Sequence, residues 1–137
     1  MDPAYPLFWF SGTGSRICKT DADNVEIIHT NAGEFGYYSA IGHVDFYING
    51  GFQQNGCSST LCSHDRAHQI FAESINSDYD FCGRQCSSLM NIGSCNGPLM
   101  IMGGLKNKKT SYGYAYIETN SEPLFLIRSV SLKTNLN

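Results

Sequence analysis

The sequence has few basic residues and no long apolar run. Nine of its 137 residues are lysine or arginine, and its formal net charge is −3. A nucleic-acid surface needs clustered positive charge, and the densest basic run, 106–109, is predicted to be a solvated turn, so no nucleic-acid partner is expected. No stretch has the length and apolar character of a transmembrane segment. Residues 1–6 lack the basic start and apolar core of a signal peptide.

Cysteine, in contrast, is abundant. An even count of six in so short a chain predicts a disulfide framework formed in an oxidising compartment. The alternative is a zinc site, because Cys57, Cys62 and His64 lie close together in the sequence. A zinc site is the weaker hypothesis, since no second Cys or His pair with finger-like spacing follows. Disulfides without a signal peptide are contradictory in a complete protein, so we expect the beginning of the chain to be missing.

A helix is predicted directly after Cys62, with Ser63 as its N-cap. Small or apolar residues recur there at intervals of three and four, as in the buried stripe of an amphipathic helix: Ala67, Ile70, Phe71, Ser74 and Ile75. The polar residues between them are expected to face water: Asp65, Arg66, Gln69 and Glu73. His64 then lies at the helix start beside a cysteine pair, which is a rigid mounting for an acid–base catalyst.

Four segments have the β-branched or alternating pattern of strands. They are 25–30, 43–49, 112–118 and 124–132. Residues 82–98 are rich in glycine, serine and cysteine, so we expect an irregular segment that only cross-links could order. A length of 137 residues and an apolar content of 42% predict at most one domain, with a buried core.

Four segments, taken in order, resemble the pancreatic lipase family. They are 2–8, 21–30, 42–51 and 62–67, and the closest likeness is to arthropod secreted lipases and venom phospholipases A1. The resemblance implies an α/β-hydrolase fold and a Ser-Asp-His triad in which Asp2 is the aspartate and His64 the histidine. His64 would take the proton from the serine and return it to the leaving alcohol, while Asp2 would orient the imidazole.

The serine of that triad is expected outside this chain. The family carries it on a Gly-x-Ser-x-Gly elbow, and no such motif occurs here. Residues 1–137 therefore resemble the C-terminal part of a lipase or phospholipase A1 catalytic domain, a partial, disulfide-stapled α/β-hydrolase fold that lacks the nucleophile elbow. Without the serine and the oxyanion hole, the chain alone is expected to be inactive.

Loop lengths suggest the substrate class by the same resemblance. The family's lid corresponds to Ser58, Ser59, Thr60 and Leu61, and the second loop over the active site corresponds to 31–41; both are short. This resembles the phospholipase A1 branch, which cleaves the sn-1 ester of phosphoglycerides at a membrane or lipid surface. The alternatives are a triglyceride or galactolipid lipase and a non-catalytic secreted lipid-binding relative. Asp2 and His64 favour the enzyme, because a binding protein needs neither, and a secreted, extracellular protein is expected.

The resemblance also implies two disulfides, Cys57–Cys62 and Cys86–Cys95. Cys18 and Cys82 then pair with each other or with cysteines upstream of the chain. Some family members hold calcium near residues 13–21. Arg16 and Asp21 match that pattern, but Thr13 and Cys18 stand where carboxylates are expected, so no metal or other cofactor is predicted.

The other histidines have ordinary explanations. His29 and His43 fall on strand-like segments and are expected to be hydrogen-bonded structural residues beneath the site. His68 lies four residues after His64, a spacing that would allow a metal pair, but a plain surface histidine is the preferred interpretation.

Expressed alone, the chain is expected to give little soluble protein. The strand around Val25 would expose an unpaired edge, which favours aggregation. Circular dichroism during heating should show no cooperative transition; a sharp two-state melt would contradict this expectation.

Overall fold

The computed structural model describes residues 1–103 and 112–127. Its centre is a sheet of five strands, β1 (Glu26–His29), β2 (Val44–Ile48), β3 (Phe81–Cys86), β4 (Leu99–Met102) and β5 (Gly113–Ile117). Their order across the sheet is β1-β2-β5-β3-β4. The first three in that order are parallel, and β3 is antiparallel to both of its neighbours.

The parallel part of the sheet is buried. Every residue of β2 and three of the four residues of β1 are buried, as expected for parallel strands covered on both faces. The register sets Ile28 beside Phe46 and Phe46 beside Ala115. These residues share one apolar cluster with Ala67 and Ile70 of the helix α1 (Thr60–Asn76). The core thus lies between the sheet and this helix.

The helix begins earlier than predicted. Its N-cap is Ser59, whose hydroxyl accepts a hydrogen bond from the Cys62 amide at 3.2 Å. The assignment of Ser63 as N-cap was wrong, because Ser63 is buried one turn inside the helix, where its hydroxyl accepts from the Gln54 amide at 3.0 Å. A serine suits either position by local chemistry, and the tertiary contact with Gln54 decides between them.

The predicted polar face of α1 was also partly wrong. Arg66 is buried; its guanidinium donates to the Ser121 carbonyl at 2.8 Å and lies 4.5 Å from the centre of the Phe125 ring. Glu73 accepts hydrogen bonds from the amides of Phe125 and Leu126, at 2.8 and 3.0 Å. The segment 119–127 therefore crosses the helix and covers these side chains. Ile75, predicted to be buried, is exposed.

The strand predictions were confirmed for β1, β2 and β5. The irregular segment predicted over 82–98 was wrong, because residues 81–86 form β3, which pairs with β4 and β5. For the predicted strand 124–132, residues 124–127 make only a single bridge, between Thr119 and Leu126. Residues 128–132 and the basic run 106–109 lie outside the described residues. Among the described helices, none is long and apolar enough to span a membrane.

Glu73→Ala should lower the free energy of unfolding by about 1–3 kcal/mol, because two buried amides lose a charged acceptor. Asp65→Ala, which removes an exposed carboxylate of the same helix, should change it by less than about 0.5 kcal/mol. Urea unfolding of the protein that contains this chain measures both. Equal losses in the two variants would show that Glu73 does not hold segment 119–127.

Candidate active site

Asp2 and His64, separated by 62 positions in the sequence, meet in a short hydrogen bond. His64 Nδ1 lies 2.6 Å from Asp2 Oδ2. An ionised carboxylate can only accept, so Nδ1 carries the proton and donates it. The other ring nitrogen, Nε2, is then left with its lone pair, which is the state required of a general base.

The Asp2 carboxylate is buried and satisfied by hydrogen bonds. The residue is 2% exposed. Its Oδ1 accepts from the main-chain amides of Thr30 and Asn31, at 2.9 and 3.2 Å, directly after β1. Its own amide donates to the Ile28 carbonyl at 2.6 Å. Asp2 adopts a φ of +39°, which is uncommon for a non-glycine residue and is kept by these bonds.

His64 is mounted on α1 but keeps contact with solvent. Its side chain is 25% exposed, compared with 1% for that of Asp2. The Cys57–Cys62 disulfide ends two residues before it, and the Thr30 hydroxyl donates to its carbonyl at 3.4 Å. Helix, disulfide and strand end thus restrict the imidazole, while part of the ring stays accessible to a reactant.

The loop 31–41 forms a wall over this pair. The Phe35 ring lies 5.9 Å from the His64 ring, measured between centroids. Gly36 lies against the Asp2 carboxylate so closely that any side chain at position 36 would overlap it. Asn31, at the start of the loop, donates through its side-chain amide to Glu34 at 2.8 Å and accepts from the Phe35 amide at 2.9 Å. These bonds hold the first half of the loop.

A cavity of about 510 Å³ lies between the start of loop 31–41 and the start of α1. Its lining is mostly polar: Asn31, Ala32, Gly33, Glu34, Phe52, Gln53, Ser58, Ser59, Thr60 and Ser63. Asn31, whose main-chain amide donates to Asp2, and Ser63, the residue before His64, belong to this lining, whereas Asp2 and His64 do not. A cleft of this volume is in the range of small-molecule and lipid head-group sites.

The disulfides agree only in part with the pairs expected from the sequence. The structure contains disulfides Cys57–Cys62 and Cys86–Cys95. It does not join Cys18 to Cys82. Cys82 lies on β3, whereas Cys18 precedes β1, and β2 and β5 separate these two strands in the sheet.

The four lid residues, Ser58 to Leu61, are exposed, and the last two already belong to the first turn of α1. Half of the lid is therefore part of the helix α1.

Sequence reasoning did not identify three contributors to this site. Thr30 and Asn31 supply the amides that hold Asp2, and Gly36 supplies the space for its carboxylate. Amide donation is independent of side-chain type, so no residue pattern could point to it. The remaining histidines agree with their predicted roles: His29 is buried, His43 Nδ1 accepts from the Val25 amide at 3.0 Å, and His68 is exposed.

Gly36→Ala should displace the Asp2 carboxylate and lower the free energy of unfolding by about 1–3 kcal/mol, as overpacking does. Gly12→Ala is the matched control, because a methyl group there would meet no atom within 4 Å. Urea unfolding gives the energies, and the proton NMR signal of His64 Nδ1–H reports the bond to Asp2. An unchanged signal in Gly36→Ala would contradict the close contact.

Comparison with known proteins assigns the family. A family model described as Lipase matches residues 1–134. The chain is 39% identical over 131 residues to Phospholipase A1 of Vespula squamosa, covering 91% of this chain and 44% of that protein. It is 36% identical over 105 residues to Lipase member H-A of Xenopus laevis, covering 69% of this chain and 23% of that protein. The match to Phospholipase A1 4 of Polistes dominula is 47% over 75 residues, 55% of this chain and 23% of that protein. The chain thus spans less than half the length of these relatives, and with the Lipase match over residues 1–134 it belongs to the lipase family.

Proposed function

We propose that the protein containing this chain hydrolyses carboxylic esters of lipids, with His64 as the general base and acid and Asp2 as the carboxylate that orients it. The observation that carries the proposal is the 2.6 Å bond from His64 Nδ1 to the buried Asp2 carboxylate. It leaves Nε2 as an acceptor on a partly exposed ring. Membership of the lipase family supports ester hydrolysis as the reaction.

In the proposed mechanism, the nucleophile is a serine on a Gly-x-Ser-x-Gly elbow outside these 137 residues, since they contain no such motif. Nε2 takes the serine proton as the serine oxygen attacks the ester carbonyl. The imidazolium that results is stabilised by the Asp2 carboxylate, and it then protonates the leaving alcohol. The same imidazole then takes a proton from a water molecule, whose oxygen attacks the carbonyl carbon of the acyl-enzyme. The imidazolium returns that proton to the serine oxygen as the fatty acid is released.

The proposal includes the fold and the extent of the domain. The chain would be the C-terminal part of an α/β-hydrolase catalytic domain. Support comes from the parallel order β1-β2-β5 and from the position of Asp2 beside the carboxyl end of β1, where catalytic residues of α/β sheets usually lie. The two disulfides support a secreted, extracellular protein.

The proposed substrate is a phosphoglyceride at a membrane or lipid surface, cleaved at its sn-1 ester. Two observations support it: relatives named Phospholipase A1, and the short lid, of which Ser58, Ser59 and Thr60 line the cavity. A broader lipase activity on triglycerides or galactolipids is the second candidate, supported by the relative named Lipase member H-A.

His64→Ala in the complete protein should lower kcat at least about 10³-fold, because proton transfer to and from the serine loses its catalyst. His68→Ala, which removes an exposed histidine of the same helix, should leave kcat unchanged.

Both variants are assayed on phosphatidylcholine labelled in the sn-1 chain, with triolein in parallel. Turnover of triolein alone would favour the second candidate. Full activity of His64→Ala would overturn the proposed mechanism.

A further inference from the structure

Three side chains that the proposed chemistry does not use form a buried polar cluster on β1 and β2. His29, Asp45 and Tyr47 are 0%, 1% and 2% exposed. His29 Nε2 lies 2.8 Å from Asp45 Oδ1. The Tyr47 ring stacks on the His29 ring at 4.2 Å between centroids, with an interplanar angle of 9°. Burying an acid, a base and a phenol together is costly unless their polar atoms are all used.

Their remaining polar atoms bind the main chain of the loop over the dyad. His29 Nδ1 donates to the Tyr37 carbonyl at 2.8 Å, and the Tyr47 hydroxyl donates to the Tyr38 carbonyl at 3.0 Å. Asp45 accepts from the amides of Ile41 and Gly42, both at 3.0 Å. Four hydrogen bonds from the sheet therefore hold the second half of loop 31–41 and the residue after it.

The acceptors around His29 determine its hydrogen-bonding state. A carbonyl faces Nδ1 and a carboxylate faces Nε2, and a neutral imidazole has only one N–H to donate. Asp45 accepts one further amide hydrogen on each of its two oxygens, so both oxygens serve as acceptors. The contacts are therefore those of an imidazolium that donates to a carboxylate. Burial, and secondarily the Asp45 charge, raise the pKa of Tyr47 well above its ordinary value, so its hydroxyl remains a donor.

The other half of the same loop lies on the dyad. Phe35 faces the His64 ring, Gly36 lies against the Asp2 carboxylate, and the Asn31 amide donates to Asp2. The loop is thus held at one end by the catalytic carboxylate and at the other by the buried cluster. A shift of residues 37–42 would move the residues that confine Asp2 and His64.

We propose that His29, Asp45 and Tyr47 are positioning residues: an imidazolium–carboxylate pair and a stacked tyrosine that fix loop 31–41 and thereby the geometry of the Asp2–His64 dyad and the wall of its cavity. Their effect on catalysis rests on the proposed function. Their effect on the loop does not.

The test uses Asp45→Asn and His29→Gln in the complete protein, with His68→Gln as the matched exposed-histidine control. Amide hydrogen exchange at Ile41 and Gly42 should become about tenfold faster in both cluster variants, since the hydrogen bonds that protect the loop are weakened. The amides of Ile70 and Phe46, in the core, should keep their exchange rates. The NMR signal of His64 Nδ1–H should shift, although neither variant touches His64.

If Asp45→Asn or His29→Gln fails to fold, Tyr47→Phe is used to test the cluster instead. It keeps the stacked ring and removes only the hydrogen bond to the Tyr38 carbonyl. Amide exchange at Ile41 and Gly42 should therefore accelerate, but by less than in the other two variants. NMR of the unsubstituted protein should also show protons on both ring nitrogens of His29, because each nitrogen faces an acceptor. A His29 ring with one N–H would overturn the assignment of the ion pair.

Activity on phosphatidylcholine completes the test. In the folded cluster variants kcat/KM should fall about tenfold or more, with His68→Gln unchanged. Equal acceleration of exchange in loop and core would mean that the cluster only stabilises the fold, and the positioning role would be wrong. The positioning role would also be wrong if amide exchange, the His64 signal and kcat/KM were all unchanged in the folded variants. If the unsubstituted protein cleaves no lipid ester yet the loop effects appear, the proposed function fails while the structural role of the cluster stands.

Discussion

The buried carboxylate of Asp2 is the constraint that brings this site together. An ionised carboxylate that is 2% exposed is tolerable only when its oxygens are hydrogen-bonded. Its partners come from three parts of the chain: the end of β1 at Thr30, the start of loop 31–41 at Asn31, and α1 at His64. Satisfying one charge thereby fixes the relative positions of a strand, a loop and a helix, and the same bonds set the tautomer of the imidazole.

The helix that carries His64 is itself held by contacts distant in sequence. The Cys57–Cys62 disulfide closes the turn in which α1 begins, and Ser63 is bonded to Gln54. On the far side, Arg66 and Glu73 bind segment 119–127. A charged side chain that binds main-chain groups orients the helix more closely than apolar packing alone, because hydrogen bonds are directional.

Loop 31–41 connects two polar clusters of different character. One contains Asp2 and the partly exposed His64, which can exchange protons with a reactant. The other contains His29 and Asp45, which are as close to each other but fully buried. The two pairs have the same residue types, a histidine against an aspartate. They differ in access to solvent: the Asp2–His64 pair keeps the access that the proposed catalysis requires, whereas the His29–Asp45 pair is buried and binds main chain.

The sequence by itself determined the features that depend on local pattern. The alternation in Val44, Phe46 and Ile48 predicted β2, and the three- and four-residue spacing of Ala67, Ile70 and Ser74 predicted the buried stripe of α1. Asp2 and His64 were predicted to form a pair because four ordered segments of the sequence resemble the lipase family. Only the tertiary structure decided the roles of Arg66, Glu73, Asn31 and Gly36 and the formation of β3 and β4. These depend on which distant segments meet, and the strength of a buried hydrogen bond or a close backbone approach comes from the partner rather than from the residue itself.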